Sequence, residues 1–195
     1  MTRDEEREIL AAARGGDRRA LEEAFGRIFE RYRERVFAVC LRLTGNAADA
    51  EDAVQECFVD VLRGLPGFRG ESQVFTWVYR IAIRAASRVR ARRGTAVELA
   101  AEPAAAEREP LEEKEALARL LAELARLPLE HRAVLALCAI EGRDTKRVAE
   151  ILGIPAGTVW SRLHRARELL RERLAQRGIG REPGSDRAPP PPLRS

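Results

Sequence analysis

The stretch that decides the fold reads Ala149-Glu150-Ile151-Leu152-Gly153-Ile154-Pro155, followed by Gly157-Thr158-Val159 and Ser161-Arg162-Leu163-His164-Arg165-Ala166-Arg167. Val148, Ile151 and Leu152 recur at helical spacing behind Asp144, a residue suited to cap a helix start. Gly153-Ile154-Pro155 makes a turn, and Pro155 suits the first position of a second helix. Val159, Leu163, Ala166 and Leu170 of that helix would pack on the first, forming a helix-turn-helix. Thr158, Ser161, Arg162 and Arg165 are then left on a common outward face. Short hydroxyls beside guanidinium groups near a helix start are the chemistry of major-groove readout. Arg makes two hydrogen bonds to a guanine edge, and hydroxyls reach bases or phosphates. Lys146 and Arg147 in the preceding helix oppose its dipole, so contact with the DNA backbone is expected to compensate.

Working outward, the 195-residue chain is 45% hydrophobic and 34% charged with only 5% aromatics, the balance of a helical protein. No strand-like alternation interrupts it. The net charge of +4 is unevenly spread: residues 1–93 carry 18 basic and 15 acidic side chains, 94–115 carry 2 and 7, and 116–181 carry 13 and 7. Two basic blocks around an acidic segment suit a protein that touches nucleic acid twice, and equally suit two solvated helical surfaces. No apolar run approaches the ~20 residues of a membrane span. Cys40, Cys57 and Cys138 are far apart in apolar helical patterns, and His131 and His164 have no partner at ligand spacing. Reduced buried thiols in a cytoplasmic protein, with no metal or cofactor, are expected.

Punctuation divides the first block into helices. Asp4 can cap a short helix ending at Gly15-Gly16, and Asp17 can cap the next, which runs to Thr44-Gly45-Asn46. Asn46 can cap a third, with Ala50, Val54, Cys57, Phe58, Val61 and Leu62 on its apolar face. After Leu65-Pro66-Gly67 and the loop Phe68 to Ser72, a fourth runs from about Val74 to Arg93 with Val74, Val78, Ile81 and Ala85 inward. Residues 94–110, rich in Ala, Glu and Pro, form a flexible linker. Leu111, Leu117, Leu120, Leu121, Leu124 and Leu127 then face inward on a helix ended by Pro128, and another follows from Leu129 to Glu141, with Gly142 placed to end it. The expected fold is all-α: a helical domain over 1–93, the linker, a smaller domain over 111–180 ending in the helix-turn-helix, and a disordered proline-rich tail over 181–195.

The stretch from Ala149 to Arg167 resembles the C-terminal helix-turn-helix of the extracytoplasmic-function (ECF) sigma factors, in the sigma-70 family of bacterial RNA polymerase. Leu124 to Leu127 with Pro128, then Arg132 to Leu137, resemble the helices before it. The first domain resembles the family independently. Arg31-Tyr32-Arg33 through Arg42-Leu43-Thr44-Gly45 and Asp49-Ala50-Glu51-Asp52-Ala53-Val54-Gln55-Glu56 look like its first sigma helices. Phe68-Arg69-Gly70-Glu71-Ser72 and Thr76-Trp77-Val78-Tyr79-Arg80-Ile81-Ala82 look like its promoter-melting segment. The resemblance implies that Asp49, Asp52, Gln55 and Glu56 dock on the clamp helices of the polymerase's largest subunit. It also implies that the helix-turn-helix reads the minus-thirty-five element, and that an anti-sigma factor holds the protein inactive. Departures are specific: Trp160 stands where the family usually has Lys or Arg, Phe75 where it commonly has Arg, and Arg84 and Arg88 where Asn and Asp are frequent.

Two of these groups also have a reading from spacing alone. The four polar residues from Asp49 to Glu56 share a helix flank at steps of three and four, which suits either a docking surface or a first turn favoured by the helix dipole. Trp77, Arg80, Arg84 and Arg88 form a stripe suited to unpaired bases and their phosphates; alternatively, Trp77 is core and the arginines are solvated. No Walker loop, nucleophile elbow or supported carboxylate pair is present, so no catalytic residue, small-molecule substrate or membrane insertion is expected. Core RNA polymerase and promoter DNA are the expected partners. The competing expectation is a dimeric helix-turn-helix regulator that binds palindromic operators without polymerase.

Overall fold

The computed structural model describes residues 3–93, 111–140, 142 and 144–177, and among them the regular structure is helical. The expected linker and proline-rich tail lie outside the described residues. Eight α-helices follow in order: α1 (Arg3–Gly15), α2 (Arg18–Thr44), α3 (Ala47–Gly64), α4 (Val74–Arg93), α5 (Leu111–Ala125), α6 (Leu129–Ile140), α7 (Thr145–Leu152) and α8 (Ala156–Gln176). A 3-10 turn at Leu65–Gly67 joins α3 to the loop before α4.

Local chemistry sets the helix starts. Asp17 accepts from the amides of Arg19 (3.4 Å) and Ala20 (3.2 Å), and Asp144 from those of Lys146 (3.1 Å) and Arg147 (3.3 Å). Asn46 accepts from the Asp49 amide and returns its own Nδ2 to the Asp49 carboxylate, both at 2.8 Å, a reciprocal cap. Each such cap contributes roughly 1 kcal/mol. The expected cap at Asp4 lies inside the first turn of α1, and Pro155 sits one residue before α8 rather than in it.

α2, α3 and α4 pack around Ile28, Val36, Val39, Cys40, Ala53, Cys57, Val61, Val78, Ala82 and Ala85, and α1 lies over one end through Ile9. The inward stripe of α4 is as expected, with Val74, Val78, Ile81 and Ala85 all buried. In the second unit α6 is central, its Val134 and Leu137 meeting Val148 and Ile151 of α7 and Val159 and Leu163 of α8. Three expected core leucines are instead exposed: Leu62, Leu117 and Leu120. Leu62 sits about 100° round α3 from the buried Val61. On α5 only Leu121 and Leu124, with Leu127 just beyond it, meet the apolar neighbours Leu41, Leu135, Leu169 and Leu170. Leu117 and Leu120, nearer the start of α5, stand outside this cluster.

The two units share one continuous apolar core, and polar groups fix the seam between them. Arg132 of α6, 2% exposed, donates to the Leu127 carbonyl (2.8 Å) and to the Leu43 carbonyl at the end of α2. Arg90 of α4 donates to the Ala125 carbonyl (2.9 Å) and more distantly to Leu43 (3.4 Å). Two guanidinium groups thus serve the carbonyls that the ends of α2 and α5 cannot satisfy internally. Gly45 caps α2 at φ 92°, and a Cβ there would lie 2.6 Å from the Ala125 Cβ. The close approach of α5 requires glycine at this point.

Arg132→Ala is expected to lower stability by about 3 kcal/mol, because the Leu127 carbonyl loses its guanidinium donor and the Leu43 carbonyl keeps only the more distant Arg90. Gly45→Ala should cost about 2 kcal/mol or more, combining backbone strain with the Ala125 clash. Gly16→Ala, at φ 66° with nothing within 4 Å, should cost about 1 kcal/mol. Chemical denaturation of the three variants checks the order.

Candidate polymerase and nucleic-acid interfaces

The α4 stripe divides into two. Trp77 is half-buried, its ring stacked on Phe68 with centroids 4.7 Å apart and planes inclined by 27°. Gly64 of α3 allows this seat, since a Cβ there would lie 3.0 Å from the indole. With Arg63, Arg84 and Arg88, and with the carboxylate of Asp60, Trp77 lines an open cleft of about 360 Å3. An aromatic wall with three cations beside it can hold a stacked base and its phosphates. Arg80 does not join them: it reaches across the seam and donates to the carbonyls of Ile151 (3.2 Å) and Glu150 (2.8 Å) at the end of α7. Arg88 is engaged as well, pairing with Asp60 (2.5 Å) and Glu56 (3.3 Å).

The four polar residues of α3 also separate. Asp49 is 4% exposed, closing the Asn46 cap and pairing with Arg93 at 2.6 Å, so it faces inward. Asp52 and Gln55 are exposed, and Glu56 is half-buried between Arg88 and Arg92. The hydrogen bond from Arg92 holds the Glu56 carboxyl below the ordinary carboxylate range, against the opposing effect of burial. Val59 and Leu62, 45% and 48% exposed, continue the line of Asp52 and Gln55 at steps of four and three. Spacing from Gln55 is the signal that could have found Val59.

In the helix-turn-helix, Gly153 ends α7 at φ 65° and Ile154 donates back to the Ala149 carbonyl (3.1 Å). On α8, Ser161 and Arg165 are exposed, whereas Thr158 and Arg162 are half-buried. The Ser161 hydroxyl donates to the Thr158 carbonyl (3.1 Å), and Arg165 pairs with Glu168 at 3.2 Å. Trp160, a large apolar residue of this helix, is exposed and stacked on His164. Lys146 is exposed, and Arg147 pairs with Asp144 (3.4 Å) and lies 5.4 Å over the Phe75 ring of α4. α7 therefore serves both the helix-turn-helix and the seam.

Burial pushes the Cys40 thiol up to about 12 and raises Cys57 and Cys138, so none is a thiolate at neutral pH. Among the described residues no group of His, Cys, Asp and Glu is arranged to hold a metal, and no helix is long and apolar enough to cross a membrane.

Because its folded-state pKa is depressed, Glu56 contributes stability above the ordinary carboxylate pKa of about 4.3 and loses it as pH falls through its own lower value. The contribution should stay under about 1 kcal/mol and weaken with salt. Carboxylate titration by NMR should place Glu56 below its ordinary value and return it upward in Arg92→Ala.

Two family profiles match the chain, sigma-70 region 2 over residues 28–95 and sigma-70 region 4 over residues 117–170. The chain is 30% identical over 190 residues to the RNA polymerase sigma-H factor of Pseudomonas aeruginosa, covering 89% of this chain and 96% of that one. It is 30% identical over 169 residues to the ECF RNA polymerase sigma factor SigW of Bacillus subtilis, covering 78% and 90%. A similar match, 32% over 165 residues, covers 76% of this chain and 85% of the ECF RNA polymerase sigma-E factor of Escherichia coli. Among solved structures, CnrH in complex with the cytosolic domain of CnrY aligns at TM-score 0.64 and 25% identity, covering 89% of this chain and 99% of that chain. The sigma factor RpoE of Bartonella quintana, in complex with the anti-sigma factor NepR, shares the fold at TM-score 0.58 and 23% identity, covering 77% and 96%. With both conserved regions in order on one chain of helices, the protein belongs to the sigma-70 family of RNA polymerase sigma factors, in its extracytoplasmic-function group.

Proposed function

We propose that this sigma factor binds core RNA polymerase through α3, directs it to promoters through α8 and holds the opened minus-ten strand on α4. The observation that carries this division of labour is the separation of three exposed surfaces on one chain. Asp52 and Gln55 with Val59 and Leu62 form a polar-to-apolar flank for a protein partner. Trp77, Arg84 and Arg88 line a cleft for unpaired bases. Ser161, Arg165 and the half-buried Thr158 and Arg162 offer groove chemistry. Catalysis belongs to the polymerase, and the chain works in the cytoplasm beside it. By analogy with CnrH and RpoE, whose solved forms carry a bound regulator, an anti-sigma factor is the proposed regulatory partner.

Function on this reading requires the seam to open. The minus-ten and minus-thirty-five elements are separated by about 25 base pairs, roughly 85 Å of duplex. Two units packed through Arg132, Arg90 and Arg80 cannot occupy both. Opening also releases Arg80 from the α7 carbonyls and returns it to the α4 stripe.

The intact protein is expected to co-elute with core polymerase, and combined replacement of Asp52, Gln55 and Glu56 by Ala should weaken that association. Failure of the intact protein to co-elute would favour an operator-binding regulator instead. Within the assembled complex, Arg165→Ala should cost about 1–3 kcal/mol of promoter affinity and relax sequence preference. Lys146→Ala should weaken binding evenly across sequences and reduce the salt slope by about 0.9.

A further inference from the structure

Trp160 is 45% exposed on the helix proposed to enter the major groove. Its indole lies parallel to the His164 imidazole, with centroids 5.7 Å apart and an interplanar angle of 4°. The imidazole is anchored in turn, its Nε2 3.2 Å from Glu168 Oε1, while the other Glu168 oxygen meets Arg165 at 3.2 Å. Residues 160, 164 and 168 climb one flank of α8 in steps of four, so each brings its neighbour to a fixed place. The indole is thus held before any partner arrives, and binding it sacrifices little rotational freedom.

The surface beside it is shaped for close approach. A Cβ added at Gly157 would meet nothing within 4 Å, and the Ser161 hydroxyl is turned back onto its own helix. Gly157 and Ser161 therefore make a shallow notch, with the Trp160–His164 ledge on one side and Arg165 on the other. Trp160 is the fifth residue of α8, in the half of a recognition helix that meets base edges. An indole offers one N–H and a large apolar surface, and the apolar group that a major groove presents is the thymine 5-methyl. Arg165, which borders the notch and shares Glu168 with His164, favours a polyanionic duplex over a protein as its occupant.

We propose that Trp160, braced by His164, is a specificity-determining residue of this sigma factor that packs on thymine methyl groups in the upstream duplex element. A guanidinium at the same position would read guanine instead. The inference rests on the assignment of α8 to the minus-thirty-five duplex, and it makes the sequence preference of this chain depend on an apolar contact.

The test uses the full-length chain assembled with core polymerase, with assembly scored separately by co-elution, and a duplex library randomised across the upstream element. Selected sites should carry thymine at one or two positions. Exchanging that thymine for deoxyuridine, which lacks only the methyl, should weaken binding about four-fold per methyl. Trp160→Ala should be indifferent to the exchange, and Trp160→Arg should shift the selected base to guanine. Since Trp160 is exposed, both variants should keep the melting temperature of the parent, which separates a lost contact from a lost fold. A parent complex that does not distinguish thymine from deoxyuridine would overturn the proposal. So would a Trp160→Ala variant that retains the full distinction, and that result would assign the ledge to a protein partner. If the chain does not assemble with polymerase, the polymerase-binding role falls, and the contact is judged by the same exchange on duplexes that the chain alone selects from the library.

Discussion

The ends of α2 and α5 meet at one place, and each brings carbonyl groups that its own helix leaves without donors. Arg132 and Arg90 supply those donors from two other helices, α6 and α4. Taking a guanidinium out of water costs several kcal/mol, and the loss is offset only when the acceptors stand in the right positions. The pair therefore sets geometry more than it adds net stability. With α6 docked on the end of α2, α7 lies against α4, and Arg80 reaches the Ile151 carbonyl and the Glu150 carbonyl, which also accepts from the Gly153 amide. The glycine at position 45 belongs to the same arrangement, because a side chain there would hold α5 away.

Much of the positive charge in this chain works internally. Arg80, Arg88, Arg90, Arg92, Arg93 and Arg132 are all bonded to carbonyls or carboxylates within the fold. The basic surface left for nucleic acid is correspondingly narrower than composition suggests. Arg88 and Arg92 also connect the flank of α3 to the α4 cleft through Glu56. The proposed polymerase-docking surface and the proposed strand-binding surface thus share one ion-pair network. Burial lowers the Arg90 pKa, which is the cost of drawing this guanidinium out of water into the seam.

The helix-turn-helix illustrates how one element can serve two purposes. The carbonyl end of α7 forms the turn before α8 and also receives Arg80. Arg147 leans on Phe75 instead of standing clear of the fold. The Phe75 ring gives the guanidinium of α7 a face to rest on. These contacts join the helix-turn-helix unit to α4 across the seam.

The local signals were sufficient for the helices and most of their caps, and they single out the surfaces proposed as sites. Asp17, Asn46 and Asp144 act on amides two or three residues away, and the apolar stripe of α4 follows from its own period, so these features are written in the chain itself. The same holds for the α8 face, where a helical period alone turns Ser161 and Arg165 outward. The use of each long polar side chain was decided elsewhere. Asp49, Arg80 and Arg132 sit at positions compatible with solvent on a helical wheel, yet each finds its partner on another element or at a helix end. Leu62, Leu117 and Leu120 show the converse, apolar residues that the described elements leave exposed. Periodicity tells which side of a helix is apolar, while the length of an arginine or the absence of a facing helix is resolved only when the elements pack.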